Sequence, residues 1–206
     1  MSRKTATIPP EYFEQKYQAD IDPWQFRSSD YEKEKYASTI RALGKPHYGK
    51  ALEIGCSIGV LTRALAPRCG SLTAIDASAT AIAAAKLSDP PSNVAFDVRV
   101  LPEDFPAGKF DLIVLSEVLY YFSPSDLKRV AKQCLDALSP DGELLLCHWL
   151  GETDYPLSGA EASVLMAEAM GGAMRLHSIV VDDVYRLERF EGFSISCGDC
   201  AKSNGR

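Results

Sequence analysis

The stretch Ala51-Leu52-Glu53-Ile54-Gly55-Cys56-Ser57-Ile58-Gly59 constrains the fold most strongly. An apolar run, a glycine pair and a return to helical spacing read as a buried strand, a tight turn and the start of a helix. Glycine accepts the left-handed backbone such a turn needs. It also lets a ligand approach bare backbone N–H groups at a helix N-terminus.

The same alternation continues downstream. Apolar runs at 71–75, 94–100, 110–115 and 143–147 read as strands. Helices are expected at 59–66, ended near Pro67, at 78–87, stopped by Asp89-Pro90-Pro91, and from Ser123 as N-cap with Pro124 in the first turn to Leu138. Ser139-Pro140-Asp141-Gly142 reads as a turn. Repeated β-α units with apolar strands imply a parallel sheet covered on both faces. After a helix at 159–170, strands at 178–181 and 185–190 are joined by Asp182-Asp183, which predicts an antiparallel hairpin at the sheet edge. The fold class is thus α/β, Rossmann-like and mostly parallel, with helices on both faces.

Residues 1–50 are polar and aromatic-rich with helical spacing, interrupted at Asp22-Pro23-Trp24. Nothing marks a second domain, so 1–206 is expected to be one domain: a helical N-terminal lid (1–50), a core (51–150), a segment of loop, helix and edge strands (151–192) and a polar tail (193–206). A net charge of −6 without a local basic patch disfavours nucleic acid. No apolar run spans a membrane and the N-terminus lacks a signal-like apolar core, so a cytoplasmic location is expected. Cys56, Cys69, Cys134 and Cys147 read as buried thiols. Cys197-Gly198-Asp199-Cys200 lacks further ligands for zinc, and no metal is expected.

The glycine loop has two chemical readings. Gly55-Cys56-Ser57-Ile58-Gly59 fits the G-x-S-x-G elbow of α/β-hydrolases, with Ser57 as nucleophile and His148 or His177 as base. That fold places several strands before the elbow and an oxyanion loop elsewhere, and neither is evident. With Glu53 in front, the loop instead fits E-x-G-x-x-x-G, a cofactor cradle used by S-adenosylmethionine (SAM) methyltransferases. A nucleotide cofactor predicts an acidic residue at the end of the second strand, about 20 residues on, for ribose hydroxyls. Asp76 stands there. A nicotinamide loop would need a third glycine, which is absent.

Three stretches extend the second reading: Asp22-Pro23-Trp24 with Tyr31-Glu32-x-x-Lys35-Tyr36, then 52–67, then Phe110-Asp111-Leu112-Ile113-Val114-Leu115-Ser116-Glu117-Val118-Leu119-Tyr120-Tyr121. On these the chain resembles the class I SAM-dependent methyltransferases over about 50–190, and within them the nodulation-protein S (NodS) family. That family N-methylates a deacetylated amino sugar of chitooligosaccharide signals. The resemblance implies that Glu53, Gly55, Cys56, Ser57 and Gly59 line the methionine and ribose part of SAM. Asp76 would hold the ribose, with Ala77 and Ser78 beside adenine and Trp24 closing over the cofactor. The acidic adenine ligand of many relatives is replaced by Val100-Leu101-Pro102-Glu103, so Leu101, Pro102 and Glu103 become candidates for that contact.

Ser116, Glu117, Tyr120 and Tyr121 follow the fourth strand, and His148 and Trp149 the fifth, on the ligand side of such a sheet. Ser116 and Glu117 are expected at the cofactor, Tyr120 at the reacting amine and Tyr121 beside the substrate. His148 or Asp154 would hold or deprotonate the amine, and Trp149 or Tyr155 would stack on a sugar ring. The expected acceptor is a small molecule, foremost an amino sugar or oligosaccharide, with functional association to a sugar deacetylase. Alternatives are another N or O acceptor, a hydrolase using Ser57, or a module that binds SAM without transfer.

Overall fold

The computed structural model describes residues 3–192. Two helices, α1 (Pro10–Ala19) and α2 (Asp30–Ala42), precede an alternating series. It runs β1 (Tyr48–Ile54), α3 (Val60–Leu65), β2 (Cys69–Asp76), α4 (Ala79–Leu87), β3 (Val94–Val98), β4 (Phe110–Ser116), α5 (Pro124–Ala137), β5 (Leu138–Trp149) and α6 (Gly159–Met170). A final hairpin, β6 (Met174–Val181) and β7 (Tyr185–Gly192), completes it.

The strands form one seven-stranded sheet in the order β3-β2-β1-β4-β5-β7-β6. The first five are parallel; β7 enters antiparallel to β5, and β6 forms the edge. Side chains of successive strand residues point to opposite faces. Accordingly Ile113 and Leu115 of β4 pack with α5 and α6, while Leu112 and Val114 pack with α3 and the end of α2. That double burial is why the strand is apolar without alternation from Leu112 to Leu115.

Serines fix the helix starts. Ser29, Ser78 and Ser123 each accept a backbone N–H from the first turn of α2, α4 and α5. Ser158 and Glu161 make a reciprocal capping box on α6.

Several boundaries differ from expectation. Strand β1 starts at Tyr48 because its buried ring extends the strand and its hydroxyl donates to Glu143 Oε2 at 2.6 Å. The expected turn at 139–142 is absorbed into β5 as a register shift: Leu138 pairs with Phe110, then Glu143 with Leu112. Strand β3 ends at Val98, and β6 begins at Met174, four residues earlier than its apolar run suggests, by pairing with Gly192. The Cys197 and Cys200 pair lies outside the described residues.

Candidate active site

The sheet order reverses beside β1, with β2 on one side and β4 on the other, so a crevice opens at their carboxyl ends. A cavity of about 430 Å³ fills it, roofed by α1, the α1–α2 link and the start of α2.

One half of the cavity is built on the β1–α3 loop. Gly55, Ser57 and Gly59 have φ of 80°, 52° and 78°. The N–H groups of Gly55 and Cys56 both donate to the Ile75 carbonyl at 2.9 Å, which ties the loop to β2. A Cβ at Gly55 would lie 3.2 Å from Val118 Cβ. Asp76, at the end of β2, accepts the Ser57 N–H on Oδ2 and the Ser78 N–H on Oδ1, each at 2.9 Å. Burial pushes its carboxyl pKa up, against those backbone hydrogen bonds. The Tyr17 hydroxyl of α1 donates to Ser57 Oγ, and Trp24 meets the Tyr17 ring edge-on and stacks on Phe26. Arg99, Val100 and Leu101 close this half. A bare glycine floor, a carboxylate at the second strand end and an aromatic wall fit the amino-acid, ribose and adenine parts of SAM.

The other half centres on Glu117, which follows β4 with φ 56°. Its Oε1 accepts from Lys35 Nζ at 2.5 Å; its Oε2 accepts from the Tyr120 hydroxyl at 2.8 Å and the Trp149 N–H at 2.9 Å. Lys35, from α2, is 1% exposed and also bonds Glu32 at 2.9 Å. Burial pulls its pKa down, but Glu117 and Glu32 outweigh that and hold it above the ordinary value. Burial, then Glu117 and Tyr121, raise the Tyr120 phenol well above its usual range, so it stays a protonated donor. The Tyr120 and Tyr155 rings lie parallel at 5.7 Å, and Tyr121 stands edge-on to both at 4.6 Å. Phe13 and Tyr12 of α1 back this cluster.

Of the residues expected from sequence, the structure gathers Trp24, Gly55, Cys56, Ser57, Asp76, Ala77, Leu101, Ser116 and Glu117 around the cavity, with Tyr120, Tyr121, Trp149 and Tyr155. Others stand off it. Glu53 lies behind the loop, fully buried, where burial pushes its carboxyl up to about 8, with the nearby Thr62 hydroxyl pulling the other way. Gly59 opens α3 against the Phe96 ring. Ser78 caps α4 and donates to Glu14 Oε2 at 2.7 Å. The Pro102 carbonyl accepts from Gln133, and Glu103 is an exposed partner of Arg129. Asp154 is exposed and pairs with Lys4 at 3.8 Å. His148 is fully buried; its Nε2 accepts the Leu119 N–H at 3.2 Å, and burial pulls its pKa down to about 4. It is therefore neutral and walled off from an acceptor.

Sequence reasoning assigned no role to Lys35, Glu32, Tyr17 or Phe13. Glu32, Lys35 and Tyr36 are spaced three and four apart, which puts them on one helix face. A lysine on the face that meets the sheet is the signal that could have found the site. None of the chain's three histidines lines the cavity with Ser57, which leaves the hydrolase reading without a base.

The model of the family described as nodulation protein S (NodS) matches residues 10–169. A nodulation protein S from Rhizobium tropici is 32% identical over 173 residues, covering 82% of this chain and 68% of that protein. Another, from Bradyrhizobium diazoefficiens, is 32% identical over 127 residues, covering 60% of this chain and 61% of that protein. The solved structure of N-methyltransferase NodS from Bradyrhizobium japonicum WM9 in complex with S-adenosyl-L-homocysteine superposes with a TM-score of 0.77. It is 25% identical, and the match covers 87% of this chain and 97% of that one. With its sheet order, glycine cradle and Asp76 in place, the chain belongs to the nodulation protein S family and is a SAM-dependent methyltransferase.

Proposed function

We propose that the protein N-methylates a small molecule carrying a free amine, namely an amino sugar or a de-N-acetylated saccharide. The observation that supports this most directly is Glu117. Its carboxylate stands at the end of β4 between the cofactor loop and the tyrosine cluster, with Oε2 hydrogen-bonded to Tyr120.

SAM, when bound, supplies a methyl group already activated on a sulfonium. The chain must then hold the acceptor in line, exclude water and take up a proton. An amine attacks only when neutral, so an acceptor for its proton assists. Tyr120 Oη, protonated and facing the cavity, orients the amine nitrogen, and Glu117 takes the proton through that hydroxyl. Tyr121, Tyr155 and the half-exposed Trp149 offer apolar faces against which the C–H side of a sugar ring packs. His148 and Asp154 act at one remove, His148 by fixing the Leu119 backbone beneath Tyr120 and Asp154 by anchoring Lys4. Gly55, Ser57, Asp76 and Trp24 would hold the cofactor. Because an acylated amine is not nucleophilic, an N-acylated saccharide would serve as substrate only after a deacylation step. The name of the Bradyrhizobium structure, an N-methyltransferase, supports nitrogen as the target.

The test is to incubate the protein with SAM and a chitooligosaccharide, either acetylated or de-N-acetylated at one residue, and to follow product mass. Methylation of the free-amine form alone is expected. Transfer to neither form, or to both equally, would overturn the assignment.

A further inference from the structure

A lysine ammonium is seldom buried, because taking it out of water is costly unless carboxylates surround it. Lys35 is 1% exposed, yet its own helix already provides Glu32, three residues back, at 2.9 Å. One carboxylate would have neutralised it. A second is recruited from across the sequence: Glu117 Oε1, at 2.5 Å, on a residue whose backbone sits at φ 56°. A non-glycine residue in that conformation is strained, and such strain persists where the surroundings over-determine it. The three groups that fix Glu117 come from three elements. Lys35 holds one oxygen from α2, while Tyr120 and the Trp149 N–H share the other.

We propose that Lys35 is a positioning residue of the acceptor site, a role that rests on the N-methyltransferase reading above. By occupying Oε1 it prevents the carboxylate from rotating and leaves Oε2 on Tyr120, so the proton-accepting oxygen and the hydroxyl that orients the amine are set by a residue of the N-terminal helix. In this role Lys35 acts through Glu117 and takes no proton itself. The groups that face this cluster are consistent with that division. Tyr31 and Tyr36 present their rings to Nζ at 5.1 and 5.9 Å, so the aliphatic and aromatic wall leaves the ammonium its two carboxylates as partners. The cluster of two carboxylates and one ammonium has a formal charge of −1, which favours a cationic or partly protonated amine nearby over an anionic acceptor.

A plain brace between α2 and the sheet would look similar in a static structure, and kinetics separates the two. In Lys35→Met, which keeps the aliphatic stem, SAM affinity by calorimetry should stay within about threefold of wild type, while kcat on the de-N-acetylated oligosaccharide falls at least about 30-fold. Lys35→Arg should recover part of that loss. The decisive comparison is the pair Glu117→Gln and Lys35→Met/Glu117→Gln: a residue acting through Glu117 adds less than about threefold once the carboxylate is gone. Multiplicative losses in the double variant would overturn the proposal, as would a kcat for Lys35→Met equal to wild type. A Lys35→Met variant that loses SAM binding and kcat in parallel, with Lys35→Arg giving no recovery, would also overturn it in favour of a brace. A wild-type protein that binds SAM but methylates no amine would instead remove the N-methyltransferase reading, and the positioning role with it.

Discussion

The two halves of the cavity are built in opposite ways. The cofactor half is local: Gly55, Cys56, Ser57 and Asp76 belong to one β-α-β unit, and backbone hydrogen bonds to Ile75 and from Ser57 hold them in register. The half proposed for the acceptor is assembled from Lys35 on α2, Glu117 and Tyr120 after β4, and Trp149 and Tyr155 after β5. A short motif can specify the first because its geometry is mostly backbone. The second exists only once three distant segments have packed, and it depends on side-chain identity at each.

That contrast can be broken at its strong end. Gly55→Val places a β-branched residue at φ 80° with its Cβ against Val118, so SAM affinity measured by calorimetry should fall by about 100-fold or more. Unchanged affinity would show that the floor is not set by backbone shape.

His148 separates folding from chemistry at the other end. Its pKa is about 4 in the folded state, against an ordinary 6.5. The unfolded chain therefore binds the proton first. Stability is fully present above pH 6.5 and is lost as pH falls toward 4, by about 3 kcal/mol from this group. Urea midpoints against pH should show this slope, and His148→Gln should flatten it. A slope unaltered by the substitution would mean that another group dominates.

Tyr120→Phe sharpens the comparison more directly. It removes one donor from Glu117 and the hydroxyl proposed to orient the acceptor. We expect kcat to fall about 30-fold, or about 2 kcal/mol, with SAM affinity unchanged. Equal losses in both would merge the two halves into one site.

The smallest effect is expected at Ser57. Ser57→Ala or Tyr17→Phe deletes a single hydrogen bond, worth about 1 kcal/mol, so SAM affinity should weaken about fivefold and methyl transfer should persist. Complete loss with Ser57→Ala would revive a nucleophilic serine.

The same distinction explains what could be read in the chain beforehand. Strand β4 was legible because residues 112–115 form an unbroken apolar run, and the loop because its glycines require an unusual backbone. Asp76 followed from its place at the second strand end. The entry into β5 was misread because Ser139-Pro140-Asp141-Gly142 has turn composition, yet pairing with β4 carries the chain through it as a register shift. His148 looked accessible, since it follows an apolar run on the ligand side, but the packing of α6 and the Leu119 N–H bury it. Lys35 went unassigned because nothing local distinguishes a lysine that snorkels to water from one that meets a carboxylate 82 residues away.

The N-terminal stretch has one more consequence. The Ile8 N–H donates to the Tyr121 carbonyl at 2.8 Å, beside the tyrosine cluster. Glu14, a turn further along, takes hydrogen bonds from Ser78 and Thr80 on the cofactor side, and these pull its pKa down to about 2, Thr80 foremost. A single stretch of chain is thus latched to both walls. Displacing it would therefore uncover both halves of the cavity together, so their accessibility is coupled through one segment.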